Sequence, residues 1–368
     1  MTAAPSQDRP FGLFLRYPAL ERRLPRLALL RRPSEVHALD ALAPGLWIKR
    51  DDRAGLVYGG NKPRKLEFLL ADAISQGTDT VLTFGAIGSH HALAVALCGK
   101  QHGLRMILVA VGQPPTPHVL ETLRRILDTG ARVEFVGSSS RAALSGARRW
   151  LLPGVGRKRP LLVMPGGSSP LGCVGFVEAA LELEAQVQEG ALPEPEIITV
   201  PVGSMGTAAG LLAGLSLTAL RSRVLGVVVN DLMPISARRV CALADQTLNF
   251  LRKHDASFPD VKADRARLDL PRNWMGRGYG HPTPAGEQAI ARAAGSGIAL
   301  EGIYTGKTLA AVLDHMGRDG GGSGSAPLLF WNTFNSIALP TFQGALDPGV
   351  LPRPLRAFLQ RSEALPAG

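Results

Sequence analysis

Cysteine is rare in this chain: three residues in 368, at Cys98, Cys173 and Cys241. They lie far apart, make no Cys-x-x-Cys pair and stand in no fixed spacing to histidine, which excludes a disulfide framework and a structural zinc site. Buried free thiols are expected. Long apolar runs are lacking too. No stretch approaches the roughly 18 to 20 residues a membrane-spanning helix requires, and Met1-Thr-Ala-Ala-Pro5 has no basic-then-apolar leader pattern. A cytoplasmic protein without membrane attachment is therefore expected. Aromatic residues are few, at 5%, and none interleaves with the basic residues. That scarcity bears on the charge, which is 41 Lys and Arg against 30 Asp and Glu, a net +11. The arginines come in short dispersed groups (Arg22-Arg23, Arg31-Arg32, Arg124-Arg125, Arg148-Arg149), most of them beside helical apolar periodicity. They read as solvated helix faces and attraction for an anionic cofactor, and no nucleic-acid partner is expected.

With 45% hydrophobic residues, the chain can bury a large core and is long enough for two domains. Short β-branched runs alternate with Ala/Leu-rich segments. Strands are predicted at Thr80–Phe84, Met106–Ala110, Arg132–Val136, Pro160–Met164, Ile197–Val202, Val224–Val229 and Leu328–Trp331. Helices are predicted at His90–His102, Val119–Leu127 and about 173–189, 206–220, 235–252, 284–295 and 307–316. This alternation is that of an α/β protein with parallel sheets and helical crossovers. In such sheets ligands bind beyond the carboxyl ends of the strands. The run Gly320–Ser325 carries no core residue and is expected to be a mobile surface loop.

Four loops that open helices carry chemistry. In Gly59-Gly60-Asn61-Lys62-Pro63-Arg64-Lys65-Leu66-Glu67 two glycines free the backbone and Pro63 suits the first helical position, which sets Lys62 at a helix mouth. There the positive end of the helix, with Arg64 and Lys65 nearby, favours loss of the Lys62 proton. A neutral amine is what Schiff-base formation with an aldehyde cofactor needs. From this loop alone, a solvated lysine is an equal reading, and Lys65 is the weaker candidate. The segment Phe84-Gly85-Ala86-Ile87-Gly88-Ser89-His90-His91 runs from a strand into a helix, where N–H groups and a serine suit a carboxylate, although serine is also a common N-cap. Val202-Gly203-Ser204-Met205-Gly206-Thr207 follows a strand and precedes an apolar helix, as a phosphate cradle does. It lacks the Gly-Lys-Ser/Thr ending of a P-loop and the spacing of a dinucleotide fingerprint. Gly302-Ile303-Tyr304-Thr305-Gly306-Lys307 opens another helix.

Taken together, Ile48-Lys49-Arg50-Asp51-Asp52, the Gly59–Glu67 block, Gly85–Ser89, Gly166-Gly-Ser-Ser-Pro-Leu-Gly172, Gly203–Thr207, Gly278-Tyr279-Gly280 and Tyr304–Lys307 closely resemble the family of 1-aminocyclopropane-1-carboxylate (ACC) deaminases and D-cysteine desulfhydrases. These are pyridoxal 5′-phosphate enzymes of the tryptophan-synthase-β fold type. The resemblance spans most of residues 12 to 345. It implies fold type II, with two domains that each hold a mainly parallel twisted sheet flanked by helices. The large cofactor domain would comprise residues 1–65 and 173–368, with a smaller inserted α/β domain at 66–172, and the chain would form a homodimer. It further implies Lys62 as the Schiff-base lysine, with Asn61 beside it, Gly203, Ser204, Met205, Gly206 and Thr207 as the phosphate loop, and Ser89, Tyr279 and Tyr304 as catalytic residues. Thr305 would face the pyridine nitrogen. Ser89, His90, His91, Gly167 and Phe334 would meet the substrate. No metal is expected.

The departures are also informative. The family usually reads Gln-Ser-Asn where this chain has Gly88-Ser89-His90, so His90 is expected to take over the asparagine's contact with the cofactor through a ring N–H. The family's His-Thr-Gly-Gly is replaced by Asn332-Thr333-Phe334-Asn335, which reshapes the pocket. The expected reaction is a lyase or deaminase step on a small amino acid, foremost β-elimination from D-cysteine or a related β-substituted amino acid to pyruvate, ammonia and sulfide. The expectation rests on Thr305: a hydroxyl can leave the pyridine nitrogen neutral and the electron sink weak, which suits loss of a thiol better than opening of a cyclopropane. The alternatives are ACC deamination to 2-oxobutyrate, a β-replacing synthase, and a catalytically degenerate protein that only binds the cofactor.

Overall fold

The computed structural model describes residues 11–137, 141–142, 145–147, 150, 158–318, 326–339 and 347–362. The glycine-rich run at 320–325 lies outside them. In chain order the helices are α1 (Gly12–Arg16), α2 (Pro18–Arg23), α3 (Asp51–Ala54), α4 (Asn61–Ser75), α5 (His90–Gln101), α6 (Pro117–Asp128), α7 (Pro170–Gln188), α8 (Gly206–Leu215), α9 (Ala237–His254), α10 (Pro284–Ala294), α11 (Thr305–Arg318) and α12 (Arg353–Arg361). The strands are β1 (Val36–Ala38), β2 (Leu46–Lys49), β3 (Thr80–Ala86), β4 (Arg105–Val111), β5 (Arg132–Phe135), β6 (Leu161–Val163), β7 (Ile197–Val202), β8 (Arg223–Val228), β9 (Leu268–Asp269) and β10 (Leu328–Trp331).

The chain divides into two compact units, one of residues 1–68 and 168–337, the other of 69–167 and 338–368. The first holds a six-stranded sheet in the order β1-β2-β10-β7-β8-β9, parallel throughout except for β1 against β2. The second holds a parallel sheet in the order β5-β4-β3-β6. Helices follow the strands in both, giving the α/β architecture expected of the sequence. Strands buried on both faces read as continuous apolar runs; all four residues of β10, for example, are buried.

Two differences from the expected division stand out. Its first break falls inside α4, after Phe68, where residue 65 was expected. The segment beyond Ile337 belongs with the second unit, although it was expected in the large domain. The reason is visible in α12: the Phe358 ring packs 5.0 Å from that of Phe135 on β5 and lies against Gly112, just past β4.

The first unit is centred on α7 and α8. α8 is buried along its whole length, as is expected of a helix apolar on every side. Beneath α4 lies a buried ionic network. Arg64 Nη2 donates to Asp51 Oδ1 at 2.7 Å and to Glu182 Oε1 at 2.9 Å. Lys49 Nζ donates to Glu182 Oε1 at 2.7 Å, and Trp331 Nε1 donates to Asp51 Oδ2 at 2.7 Å. Despite burial, Arg64 and Lys49 hold Glu182 well below the usual carboxylate range. Buried charges persist only when paired in this way, and the pairing fixes the start of α4 against β2, β10 and α7.

Candidate active site

Helix α4 opens at Asn61, so Asn61 and Lys62 are its first two residues and Pro63 the third, not the first as expected. Proline is tolerated there because the first-turn N–H groups have no intrahelical acceptor. Lys62 Nζ donates to Asn61 Oδ1 at 2.6 Å, and Asn61 Nδ2 donates to Thr207 Oγ1 at 3.0 Å. Burial lowers the Lys62 amine from 10.5 to about 7, Lys65 pushes the same way, and Glu301 opposes both. Arg64, expected to push the same way, is instead engaged with Asp51 and Glu182. Just before Lys62, Gly60 has φ +81°, and a Cβ there would come within 2.3 Å of Thr333 O and 2.4 Å of Phe334 O. Asn61 N donates to Thr333 O at 3.3 Å, and Gly59 N donates to Asn335 Oδ1 at 2.5 Å. The unusual Asn332–Asn335 segment thus clamps the lysine loop.

The glycine loop Gly203–Thr207 joins β7 to α8 and turns on Met205, whose φ is +70°. Ser168 Oγ lies across it, accepting from Gly206 N at 3.1 Å and donating to Ser204 Oγ at 2.9 Å. A Cβ on Gly206 would stand 2.6 Å from Ser168 Oγ and 3.0 Å from Lys65 Nζ. The loop therefore combines a helix N-terminus, two serine hydroxyls and an ammonium, the donor set for a phosphate. Burial lowers the Lys65 amine to about 8.

Tyr304 precedes α11 and donates through its hydroxyl to Tyr279 Oη at 3.0 Å. Burial raises both phenols above their ordinary value, Tyr304 strongly. Tyr304 packs over Gly203, with ring carbon Cε1 2.9 Å from where a Cβ would be. Asn230 and Asp231, just past β8, tie this group together: Asn230 Nδ2 donates to Gly203 O at 2.9 Å, and Tyr279 N donates to Asp231 Oδ1 at 3.0 Å. Lys307 Nζ donates to Met275 O at 2.8 Å, holding the other side of the tyrosine loop. Thr305 is buried at the first residue of α11, with its Oγ1 within 3.1 Å of Glu301 Oε1.

Ser89, His90, His91 and Gly167 belong to the second unit. Ser89 is the N-cap of α5 and accepts from Ala92 N at 3.2 Å. His90 Nε2 lies 3.1 Å from His118 Nε2 of α6. His91 is buried, its Nε2 3.1 Å from Thr83 Oγ1, which donates to Val163 O at 2.8 Å, so the ring N–H points at the threonine. Gly167 is buried in the turn after β6, with φ +65°.

The pyridoxal-phosphate dependent enzyme family matches residues 27–330. The chain belongs to that family. It is 34% identical to a D-cysteine desulfhydrase of Klebsiella pneumoniae (strain 342) over 330 residues, 86% of this chain and 96% of the relative. A D-cysteine desulfhydrase of Salmonella paratyphi A is 33% identical over 329 residues, with the same shares. Among solved structures, an ACC deaminase homologue superposes with a TM-score of 0.74 at 29% identity, covering 89% of this chain and 95% of that one. An L-serine ammonia-lyase from Rhizomucor miehei, at 18% identity, shares the fold with a TM-score of 0.57 over 85% of this chain and 95% of its own.

A pyridoxal-phosphate enzyme needs an amine that is neutral near pH 7 and donors for a phosphate; in the first unit the Lys62 amine is lowered to about 7, and the Gly203–Thr207 loop gathers hydroxyls, a helix start and Lys65. Ser168, Asn230, Asp231 and Glu301 were not expected at the site, and Lys65 was expected only as a rival to Lys62. Ser168 lies inside the Gly166–Gly172 block but was given no role there; Asn230, Asp231 and Glu301 stand in no distinctive local pattern, with partners 27 or more residues away or, for Glu301, within an ordinary helix start.

Proposed function

We propose that this enzyme is a lyase that eliminates the β-substituent of D-cysteine or a closely related amino acid, releasing sulfide, pyruvate and ammonia. The observation that carries this reading is the similarity to D-cysteine desulfhydrases over 96% of their length. Pyridoxal phosphate, bound through its aldehyde, supplies the electron sink for the pair left when a proton leaves the substrate's α-carbon. Lys62 Nζ would be the attachment amine and, as a neutral amine, would serve as the general base for the substrate's α-proton. Asn61 holds that amine in place. Lys65, the hydroxyls of Ser204 and Thr207, and the first N–H groups of α8 hold the phosphate. Ser89 and the first N–H groups of α5 hold the substrate carboxylate, while His90, His91, Gly167 and Phe334 meet the rest of the substrate. Tyr304 donates to Tyr279, so the Tyr279 proton is left to meet the departing sulfur at Oη. The chain is proposed to assemble as a homodimer, which sedimentation of the holoenzyme would test.

The deciding experiment compares pyruvate and sulfide release from D-cysteine with 2-oxobutyrate release from ACC. A higher kcat/KM for D-cysteine is expected. A higher value for ACC would favour the second reading, ACC deamination, for which the ACC deaminase homologue is the structural support. Retention of cofactor with turnover of neither substrate class, nor of other D- and L-amino acids, would point to a binding protein without catalysis.

A further inference from the structure

We infer that Gln113 and His118, on the segment between β4 and α6, belong to the amino-acid site, Gln113 as a donor to the substrate carboxylate and His118 as a positioning residue that sets the ring of His90. The inference rests on the proposed placement of that carboxylate at Ser89 and the start of α5, and every residue it uses lies in the second unit. Gly88 is its starting point. A Cβ there would stand 2.9 Å from Gln113 Nε2 and 3.0 Å from both γ-carbons of Val119, so the room a side chain at 88 would need is already filled. What fills it ends in an amide, with two N–H donors and a carbonyl acceptor. Gln113 is half-buried, and its amide makes no hydrogen bond to a described residue. It lies over the residue next to Ser89, where its N–H groups add to the hydroxyl and the helix start as donors for one anion.

At the other end of the same segment, His118 Nε2 lies 3.1 Å from His90 Nε2 with the ring centres 5.2 Å apart, so the rings meet nitrogen to nitrogen. Nitrogens placed so are joined by one proton: two would collide, and none would leave lone pairs opposed. The substrate brings acceptors, its carboxylate among them, and the pair meets them with His118 as the donor and the proton of His90 on Nδ1, the bond at one ring nitrogen setting the state of the other. Gln113 and His118 thus bracket Ser89, one over Gly88 and the other on His90. Between them runs Pro114-Pro115-Thr116-Pro117. The three prolines fix φ, Thr116 N donates to Pro114 O at 3.0 Å, and Thr116 Oγ1, at the N-cap of α6, accepts from Val119 N at 3.4 Å. Both side chains are therefore carried on a stiff stretch, which reduces the cost of ordering them when a substrate binds.

The test is binding of D- and L-alanine, which bring an amino and a carboxyl group without a β-substituent to lose, read from the cofactor absorbance of the holoenzyme. It needs no turnover, so it stands apart from the substrate assays. Gln113→Ala and His118→Phe are expected to weaken whichever enantiomer binds by about tenfold, while His118→Gln, which keeps a donor, stays within about threefold of wild type. Apoprotein Tm and cofactor affinity are expected to be unchanged in all three. Wild-type affinity in Gln113→Ala and His118→Phe overturns the inference. Weaker binding that comes with a loss of Tm or of cofactor overturns it too, because the segment would then only support the fold. A wild type whose cofactor responds to neither alanine nor to ACC has no such amino-acid site, and the inference falls with it. Weaker binding in the two variants of an enzyme that turns over no D-cysteine upholds the inference and removes the proposed activity instead.

Discussion

Lys62 and Lys65 stand three positions apart at the start of one helix, and both lose basicity by burial, yet different roles are proposed for them. Lys62, lowered to about 7, gives up its proton near neutrality and is held by Asn61. Lys65, at about 8, lies at the rim of the glycine loop, where a bound phosphate would favour its charged form. Borohydride reduction is therefore expected to leave the phosphopyridoxyl group on Lys62, and a modified Lys65 in the peptide map would reverse the roles. The rate at which apoprotein captures pyridoxal phosphate should rise about tenfold per pH unit below about 7 and level off above it, as the neutral amine becomes the major form; a flat profile in stopped-flow absorbance would count against the assignment. The stability of the apoprotein should move in the same direction. The folded state releases the Lys62 proton near 7 while the unfolded chain keeps it up to 10.5, so this contribution grows as pH rises across that window and is smallest below it. Replacing Lys65 with methionine keeps most of the buried volume but removes a charge from the phosphate loop. Cofactor affinity should fall by about tenfold or more, a charge-assisted hydrogen bond contributing about 1.5 to 3 kcal/mol, with Lys62 still carrying whatever cofactor binds.

At the scale of elements, the parallel strands were legible because burial on both faces gives unbroken β-branched runs, and the predicted strands at β3, β4, β5, β6, β7, β8 and β10 correspond to observed ones within one or two residues. The three-residue β1 and two-residue β9 have no such run, and β2 lies in the Leu46–Lys49 stretch that was read only as part of a motif. The candidate site divides in the same way. Glycine loops announce themselves in sequence, but the clamp of Asn335 on Gly59 spans 276 positions and exists only once β2 and β10 are neighbours. The start of α8 gives the corresponding prediction. A valine at Gly206 would force its Cβ against Ser168 Oγ and Lys65 Nζ, two groups that surround the proposed phosphate site. Gly206→Val should therefore lower pyridoxal-phosphate affinity at least tenfold while shifting the apoprotein Tm by only a few degrees. Equal cofactor titrations for variant and wild type would remove the loop from the phosphate site.

At the scale of the whole molecule, the feature least legible in the sequence was the membership of the C-terminal segment, because which unit a terminal helix joins depends on a surface assembled from distant strands. α12 carries Leu355 and Leu359 fully buried and brings Phe358 onto Phe135 and Gly112. An amphipathic helix of nine residues is too short to be stable alone in water, so it holds its shape only through that packing, and the packing in turn covers the β4-β5 side of the second unit. Phe358→Ala removes the aromatic contact and leaves a gap. Full burial would put the cost near 3 to 5 kcal/mol; with the side chain only partly buried, a cost on the order of 2 kcal/mol is expected. The loss should be local. Hydrogen exchange of the β4 and β5 amides should quicken while the buried amides of α7 and α8 keep their protection, because the second unit loses a covering element and the first does not. Exchange that quickens equally in both would mean that the two units unfold as one. Unchanged exchange in β4 and β5 would mean that α12 contributes nothing to the unit it joins.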